Sequence, residues 1–426
     1  MMKQLVGKAN FNNELFEIDL EDNKIQKNNF WDRFLKNELF SYPSTEAIDL
    51  MYLSEFVYFC DRNFMRELND DGWKRDISLS IPVLNIKKFE DKKDIIQDLL
   101  NFLSGDTWNL SFFKRKETDN EKRYRSKCAD RDQNYISNVC MFSGGLDSFI
   151  GAIDLLEKEE KQIFVSHYGG SKGTLKYQDL LREQLMGKYP SLNENDFFQF
   201  YIAPQIQHKD RNEDTTRSRS LLFFSHAISI ATSVGANKLI IPENGFISLN
   251  VPLTPARIGS SSTRTTHPYY FLLFENLLEG LGINIEIYNP FKYLTKGQMI
   301  KNCKNRNFLE KNIVNTMSCS KPDHARWNGY NEPIHCGYCI PCTIRRASIL
   351  EGKFIDKTEY FVTDYSTNES KSNLNAFRLA IANNMEKDPL FTIQSNGPIL
   401  NNFEEYGKIY LNGLIELKNF LERLKL

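Results

Sequence analysis

The sequence predicts an α/β fold built on a doubly wound parallel sheet, with an α+β extension before it and a helical extension after it. Three observations carry that expectation. Short apolar runs alternate with helical segments between residues 138 and 288, the pattern of parallel strands joined by crossover helices. The hexapeptide Ser143-Gly144-Gly145-Leu146-Asp147-Ser148 falls between a strand and a helix of that stretch. Four of the eight cysteines crowd into residues 319–342, while the rest are scattered.

In chain order, residues 15–20 alternate apolar and polar as a half-buried strand does. Ser44 after Pro43 opens a helix from Thr45 to about Phe59. Residues 76–84 read as a strand, 91–103 as an amphipathic helix and 108–113 as a strand. Residues 114–132 are densely charged with almost no apolar side chains, which predicts a linker and closes a first region at 1–134. The second region, 135–350, starts with strand 138–142 and helix 147–157, and continues with strand 163–167 and a helix near 175–186. Strand 197–202, helix 218–233, strand 238–242, helix 269–281 and strand 283–288 follow. The third region, 351–426, is read as mostly helical. There Phe403, Tyr406, Tyr410, Leu414, Leu417, Leu421 and Leu424 recur at helical spacing and form an apolar stripe.

A chain of 426 residues accommodates two or three domains. Lys and Arg (54) balance Asp and Glu (55) for a net charge of -1, so nothing global favours nucleic acid or an anionic membrane as partner. No run reaches the roughly 20 apolar residues of a membrane span. Residues 1–19 lack the apolar core of a secretory signal, so a cytoplasmic location and reduced cysteines are expected.

The hexapeptide has the makings of an anion site. Gly144 and Gly145 let the backbone approach an anion with no Cβ in the way. The first N–H groups of the following helix point at it with the dipole in their favour. Ser143 and Ser148 add hydroxyls, and Asp147 reads as a helix-start residue or a Mg²⁺ partner. A bare tight turn is the competing reading. No Gly-Lys-Ser/Thr follows, so the loop is not of Walker type.

Cys336, Cys339 and Cys342 form a Cys-x₂-Cys-x₂-Cys run, with Cys319 upstream. Four thiolates complete a tetrahedral Zn²⁺ shell with no open position, which makes the metal structural. An iron–sulfur cluster is the competing use of the same ligands.

Ser143–Ser148 resembles the pyrophosphate loop of the PP-loop ATPases, whose HUP-like sheet and cleavage of ATP between the α- and β-phosphates are then implied. The cysteine run, continued by Thr343-Ile344-Arg345-Arg346-Ala347, is similar to the zinc site of the QueC family, the 7-cyano-7-deazaguanine synthases. Further segments match in the same order. His167-Tyr168-Gly169 resembles the family's Asp-Tyr-Gly, and Arg217-Ser218-Arg219 its Arg-Asn helix start. Asn289-Pro290-Phe291 with Leu294-Thr295-Lys296, and then Ser318-Cys319, follow. The resemblance covers about 135–350. It implies ATP-dependent activation of the carboxylate of 7-carboxy-7-deazaguanine, with ammonia then giving an amide and finally a nitrile. It further implies that residues 143–148 and His167 hold the nucleotide and that Lys296 neutralises developing charge. Arg217 and Arg219 would clamp phosphate or carboxylate. For each of these cations, plain solvated surface is the competing reading.

The departures are specific. His167 replaces an acidic residue and Gly170-Ser171 replace Gln-Arg. The Tyr-Pro-Asp-Cys-Arg type loop is absent. Pro242-Glu243-Asn244-Gly245-Phe246 and the Ser/Thr/Arg/Gly run 257–267 take its place, the latter either an anion or substrate loop or a plain surface loop. The long flanks, about 130 residues before the loop and 75 after the cysteines, resemble the QueC-like proteins of bacterial anti-phage defence operons. That likeness implies attack by a protein amine and a partner protein from the same operon. A PP-loop tRNA-modifying enzyme, an interaction module with a vestigial nucleotide site, and an asparagine-synthetase-like amidotransferase compete. The last needs a cysteine directly after the initiator Met, where this chain has Met2.

Overall fold

The computed structural model describes residues 3–68, 74–131, 135–169, 172–207, 213, 215, 217–253 and 264–424. The departure at Gly170-Ser171 and residues 257–263 of the Ser/Thr/Arg/Gly run lie outside the described residues. In chain order the strands are β1 (Val6–Phe11), β2 (Glu14–Asp19), β3 (Gln26–Asn28), β4 (Asp76–Val83) and β5 (Thr107–Lys114). They continue with β6 (Asn138–Met141), β7 (Gln162–Tyr168), β8 (Phe197–Pro204), β9 (Lys238–Ile240) and β10 (Glu286–Tyr288). Among the described residues they form two sheets, ordered β2-β1-β4-β5 and β10-β9-β6-β7-β8-β3.

The first sheet begins as a hairpin. Phe11 pairs with Glu14 across Asn12 and Asn13, whose φ values of 50° and 62° suit the tight turn that right-twisted strands favour. The second sheet is the expected parallel one. The ladders from β10 through β9, β6 and β7 to β8 all run parallel. From β6 the chain builds outward through β7 and β8, then returns to lay β9 and β10 on the other flank. The strand order therefore reverses at β6, and the crevice beyond its carboxyl end is where such sheets take ligands. Residues 143–148 emerge there.

Residues 114–131 of the stretch expected to be a linker, 114–132, are folded and correct that reading. Asp119–Cys128 is a helix opened by a capping box, in which Thr118 accepts from the Glu121 amide and Glu121 accepts from the Thr118 amide. Most charges of the stretch stay at the surface, but two are paired inside: buried Arg115 bonds buried Glu121 at 2.7 Å and Asp49 at 2.8 Å. The first region also completes the second sheet, because β3 pairs antiparallel with β8. Behind that edge Phe30 meets Phe198 and Phe200 with ring centroids 5.3 and 5.5 Å apart. The helix Thr45–Asn63, capped by Ser44 and buried from Ala47 to Asp61, lies against the helix Arg219–Ser233. One continuous apolar core runs through both regions.

A second core gathers residues of the third region with the cysteine cluster. Helices Asn368–Asn384, Pro389–Gln394 and Phe403–Arg423 make up most of that region. The long last helix presses its apolar side on Gly245–Ser248 and Ile340–Glu351. Among the described residues no helix is long and apolar enough to cross a membrane.

Candidate functional site

The hexapeptide is shaped by its neighbours on three sides. Phe142 extends the ladder by donating to the Val165 carbonyl at 2.7 Å, after which the backbone turns sharply. Gly144 has φ +85°, a conformation that L side chains rarely adopt, and a Cβ there would come 3.1 Å from Cγ of Gln178. Gly145 caps the helix Leu146–Leu156 in extended conformation, and its amide donates to Ser143 Oγ at 3.3 Å. The Ser143 and Ser148 hydroxyls lie 3.2 Å apart. Gln178 ties the turn to the end of β7, its amide donating to the carbonyls of Ser143 and His167, both at 3.2 Å. From the opposite side the Met317 amide donates to the Gly144 carbonyl at 2.8 Å, and the Leu146 amide to Ser318 Oγ at 3.4 Å.

Under the loop lies a buried cluster of charge. Lys296, the first residue of the helix Lys296–Asn302, places Nζ 2.8 Å from Asp147 Oδ1. Asn244 binds Asp147 Oδ2 through its backbone amide at 3.2 Å and its side chain at 2.7 Å, and also donates to Glu243 at 3.0 Å. Asn289 clasps the Glu243 backbone at 2.8 Å. Burial, then the adjacent Asp147 charge, pushes the Glu243 carboxyl well above its usual range. Burial works against the Asp147 carboxylate too, but Lys296 and the hydrogen bond from Glu243 hold it below the ordinary value. The buried Asp147 carboxylate is thus offset by its ion pair with Lys296, and Glu243 is shifted toward its neutral form. The sequence pointed to Lys296 and Asp147 separately. Glu243, Asn244, Asn289 and Gln178 are not legible as site residues in the sequence, where Pro242–Phe246 and Asn289-Pro290 stand out only as segments.

The other expected residues are spread. His167, buried at the end of β7, places Nε2 3.2 Å from the Ile202 carbonyl. Burial, with Arg219 nearby, lowers its pKa to about 3, so the ring is neutral with the proton on Nε2. Its Nδ1 finds no hydrogen-bond partner among the described residues. Arg219 is exposed at the start of its helix. Arg217 goes elsewhere: its buried guanidinium donates to the Ser104 carbonyl. It lies by Arg66 and Asp106, and burial and Arg66 lower its pKa to about 10. Its neighbour Ser218 caps Asp61, which binds the fully buried Arg75. The structure thus brings Lys296 to the loop and sets Arg217 into the ion network of the first region.

Cys319, Cys336, Cys339 and Cys342 converge, with all four Sγ atoms within 4.8 Å of one another. Cys319 and Cys339 are 3.9 Å apart and Cys336 and Cys342 4.0 Å. A tetrahedron with Zn–S bonds of about 2.3 Å has edges of about 3.8 Å, so the set fits zinc and could bind it. Backbone amides already point at the sulfurs: Cys336 and Lys321 donate to Cys319, and Cys339 to Cys336, each at 3.3 Å. Gly337 turns with φ +90°, and a Cβ there would lie 2.0 Å from the Val362 carbonyl. Arg346 fixes this turn through the Gly337 and Thr363 carbonyls at 3.1 and 2.7 Å. Arg345, fully buried, binds Thr316 and the Ile313 carbonyl at 2.6 Å. Arg345 therefore braces the segment 313–319, which carries Cys319 and touches the loop, while Arg346 holds the turn between Cys336 and Cys339.

No family model matches the chain. A stretch of 148 residues is 27% identical to the 7-cyano-7-deazaguanine synthase of Rickettsia bellii strain OSU 85-389, covering 34% of this chain and 56% of that protein. The synthase of strain RML369-C matches to the same extent. The chain thus spans about half the length of the curated relatives it matches. The chain is therefore distantly similar to 7-cyano-7-deazaguanine synthases, a likeness that supports a QueC-like family.

Proposed function

We propose that this protein is a QueC-like PP-loop ligase that adenylates the carboxylate of 7-carboxy-7-deazaguanine for attack by an amine. The observation that carries the reading is the glycine turn beyond β6 with Lys296 ion-paired to its Asp147. A carboxylate oxygen of the substrate attacks the α-phosphorus of ATP, the bond to the bridging oxygen breaks, and pyrophosphate leaves. The amine nitrogen then attacks the acyl carbon, AMP leaves with the bonding pair, and the surplus proton on nitrogen passes to water. Ser143, Ser148 and the first amides of the helix hold the leaving pyrophosphate, and Lys296 balances its charge. Asp147, paired with Lys296 through Oδ1 and with Asn244 through Oδ2, would hold Mg²⁺, which offsets phosphate charge. The four cysteines would hold a structural Zn²⁺ beneath the segment that braces the loop.

The setting we favour is a cytoplasmic anti-phage defence system, as for the proteins called QatC, with residues 135–350 as the ATPase domain. Residues 1–134 and 351–426 recognise a partner protein whose amine is the acceptor. The activity of the distant relatives favours a second reading, 7-cyano-7-deazaguanine synthesis with ammonia. Arg219 remains a candidate for the substrate carboxylate, whereas Arg217 is assigned a structural role. Pyrophosphate release is measured with ATP, 7-carboxy-7-deazaguanine and proteins encoded beside this one, followed by intact masses. A partner gaining the mass of the acylated base supports conjugation. Free nitrile with unchanged partner masses establishes the ammonia reading, and absence of substrate-dependent pyrophosphate release overturns both.

A further inference from the structure

The last helix reaches into the site through one carboxylate. Glu416 sits on the otherwise apolar face of Phe403–Arg423, between Leu414 and Leu417, and is 7% exposed. It accepts from the Thr295 hydroxyl, and from the Gly297 amide at 3.3 Å. These residues flank Lys296 on either side. Thr295 is the cap of that short helix, its hydroxyl accepting from the Gln298 amide at 3.1 Å while Gln298 accepts from the Thr295 amide at 2.9 Å. The Gly297 N–H is one of the first-turn donors that a helix leaves without an internal acceptor, and Glu416 supplies one.

Residue 297 is built for that approach. A Cβ on Gly297 would stand 2.6 Å from Glu416 Oε1 and 2.8 Å from Cβ of Glu351. Burying a carboxylate beside Glu351 is costly unless its donors are supplied. Here they come from the two residues bracketing the lysine that pairs with the phosphate loop. The helix is seated by the same tight fit elsewhere, since a Cβ on Gly413 would overlap the Phe246 ring at 2.2 Å.

We infer that Glu416 is a positioning residue for Lys296, so that the third region forms part of the catalytic frame. The inference rests on the ligase reading for its consequence in activity, but its geometry is testable without it. Lys296 is 7% exposed and ion-paired, which protects its amine from acylating reagents. The full-length protein is pulse-labelled with an amine-acetylating reagent, and modification of Lys296 is read by peptide mass spectrometry. Glu416→Ala and Gly297→Ala should raise the Lys296 labelling rate at least about tenfold, while Glu416→Gln, which keeps an acceptor for Gly297, stays within about threefold. Glu422→Gln, on the exposed side of the same helix, is the control and should match the parent. Melting by circular dichroism checks that each variant is folded. Should Glu416→Ala disrupt folding, Glu416→Gln and Gly297→Ala decide. Equal Lys296 labelling in parent and the folded alanine variants overturns the inference. In parallel, substrate-dependent pyrophosphate release should fall at least tenfold in kcat for Glu416→Ala and recover in Glu416→Gln. If the parent releases no pyrophosphate, the ligase reading fails while the labelling still decides the role of Glu416.

Discussion

Replacing Cys342 by serine tests whether the cysteine cluster holds the glycine turn at 143–148 in place. Cys342 is the ligand farthest along the chain from the loop, so any effect on the loop must travel through the cluster to Cys319. The path is short: Cys319 follows Ser318 and Met317, which bond Leu146 and Gly144 at 3.4 and 2.8 Å. Each such bond contributes about 1 kcal/mol net, so freeing the segment lowers the local opening energy by about 2 kcal/mol. At about 1.4 kcal/mol per decade this accelerates amide exchange about 30-fold. The parent should carry one zinc per chain by elemental mass spectrometry, and Cys342→Ser should carry little. Exchange is then compared for peptides covering 144–149 and 315–319, with β7 as an internal standard for global folding. If the zinc-depleted variant keeps parental exchange at both peptides while 340–351 loosens, the coupling argument is wrong. A parent without bound metal refutes the zinc reading itself.

Three further outcomes are expected. Arg75→Met removes a fully buried guanidinium from Asp61 and Asp106 and should cost about 3–5 kcal/mol in urea unfolding, nearer the lower end because Arg66 still holds Asp106 at 2.8 Å. His167 and His267 have folded pKa values of about 3, lowered by burial and then by a neighbouring arginine, against 6.5 when unfolded. The unfolded chain therefore binds more protons below pH 6.5, and stability should decrease as pH is lowered, by up to about 3 kcal/mol per unit for the pair, read as urea midpoints from pH 7 to 4. Glu243 shows the opposite sign: its folded pKa is raised by burial and by Asp147, so its contribution is present below the ordinary glutamate range and is lost as pH rises. Glu243→Gln keeps a donor toward Asp147 and should flatten that decline, seen as a smaller drop in thermal midpoint between pH 6 and 8.

The parallel sheet was legible because its strands are apolar on both faces and its helices are amphipathic, signals local to each segment. The turn at 143–148 was legible for the same reason. Its surroundings were not, because they depend on contacts between distant parts of the chain. Lys296 meets Asp147 only through the strand order around β6. Glu416 did leave a trace, a lone carboxylate on the stripe from Phe403 to Leu424, but nothing local said which donors it would find. Arg217 looked like an anion clamp at a helix start, and buried acids of the first region give its neighbourhood a structural use instead. The charged run after Lys114 concealed a helix whose signal was present, since Thr118 followed three residues later by Glu121 is a capping pair. Charge density suggested solvent because pairing of Arg115 with Asp49 cannot be read from spacing.

The antiparallel addition of β3 bears on how the chain reaches this state. Residues 26–28 leave the ribosome early, yet their partners at 202–204 are synthesised far later. Until then Phe30 has neither Phe198 nor Phe200 to cover it. Closing so long a loop is slow, and the waiting strand and aromatic cluster are the kind of surface that chaperones retain. Fragments that start after residue 134 should accordingly emerge with an open β8 edge and a tendency to associate through it.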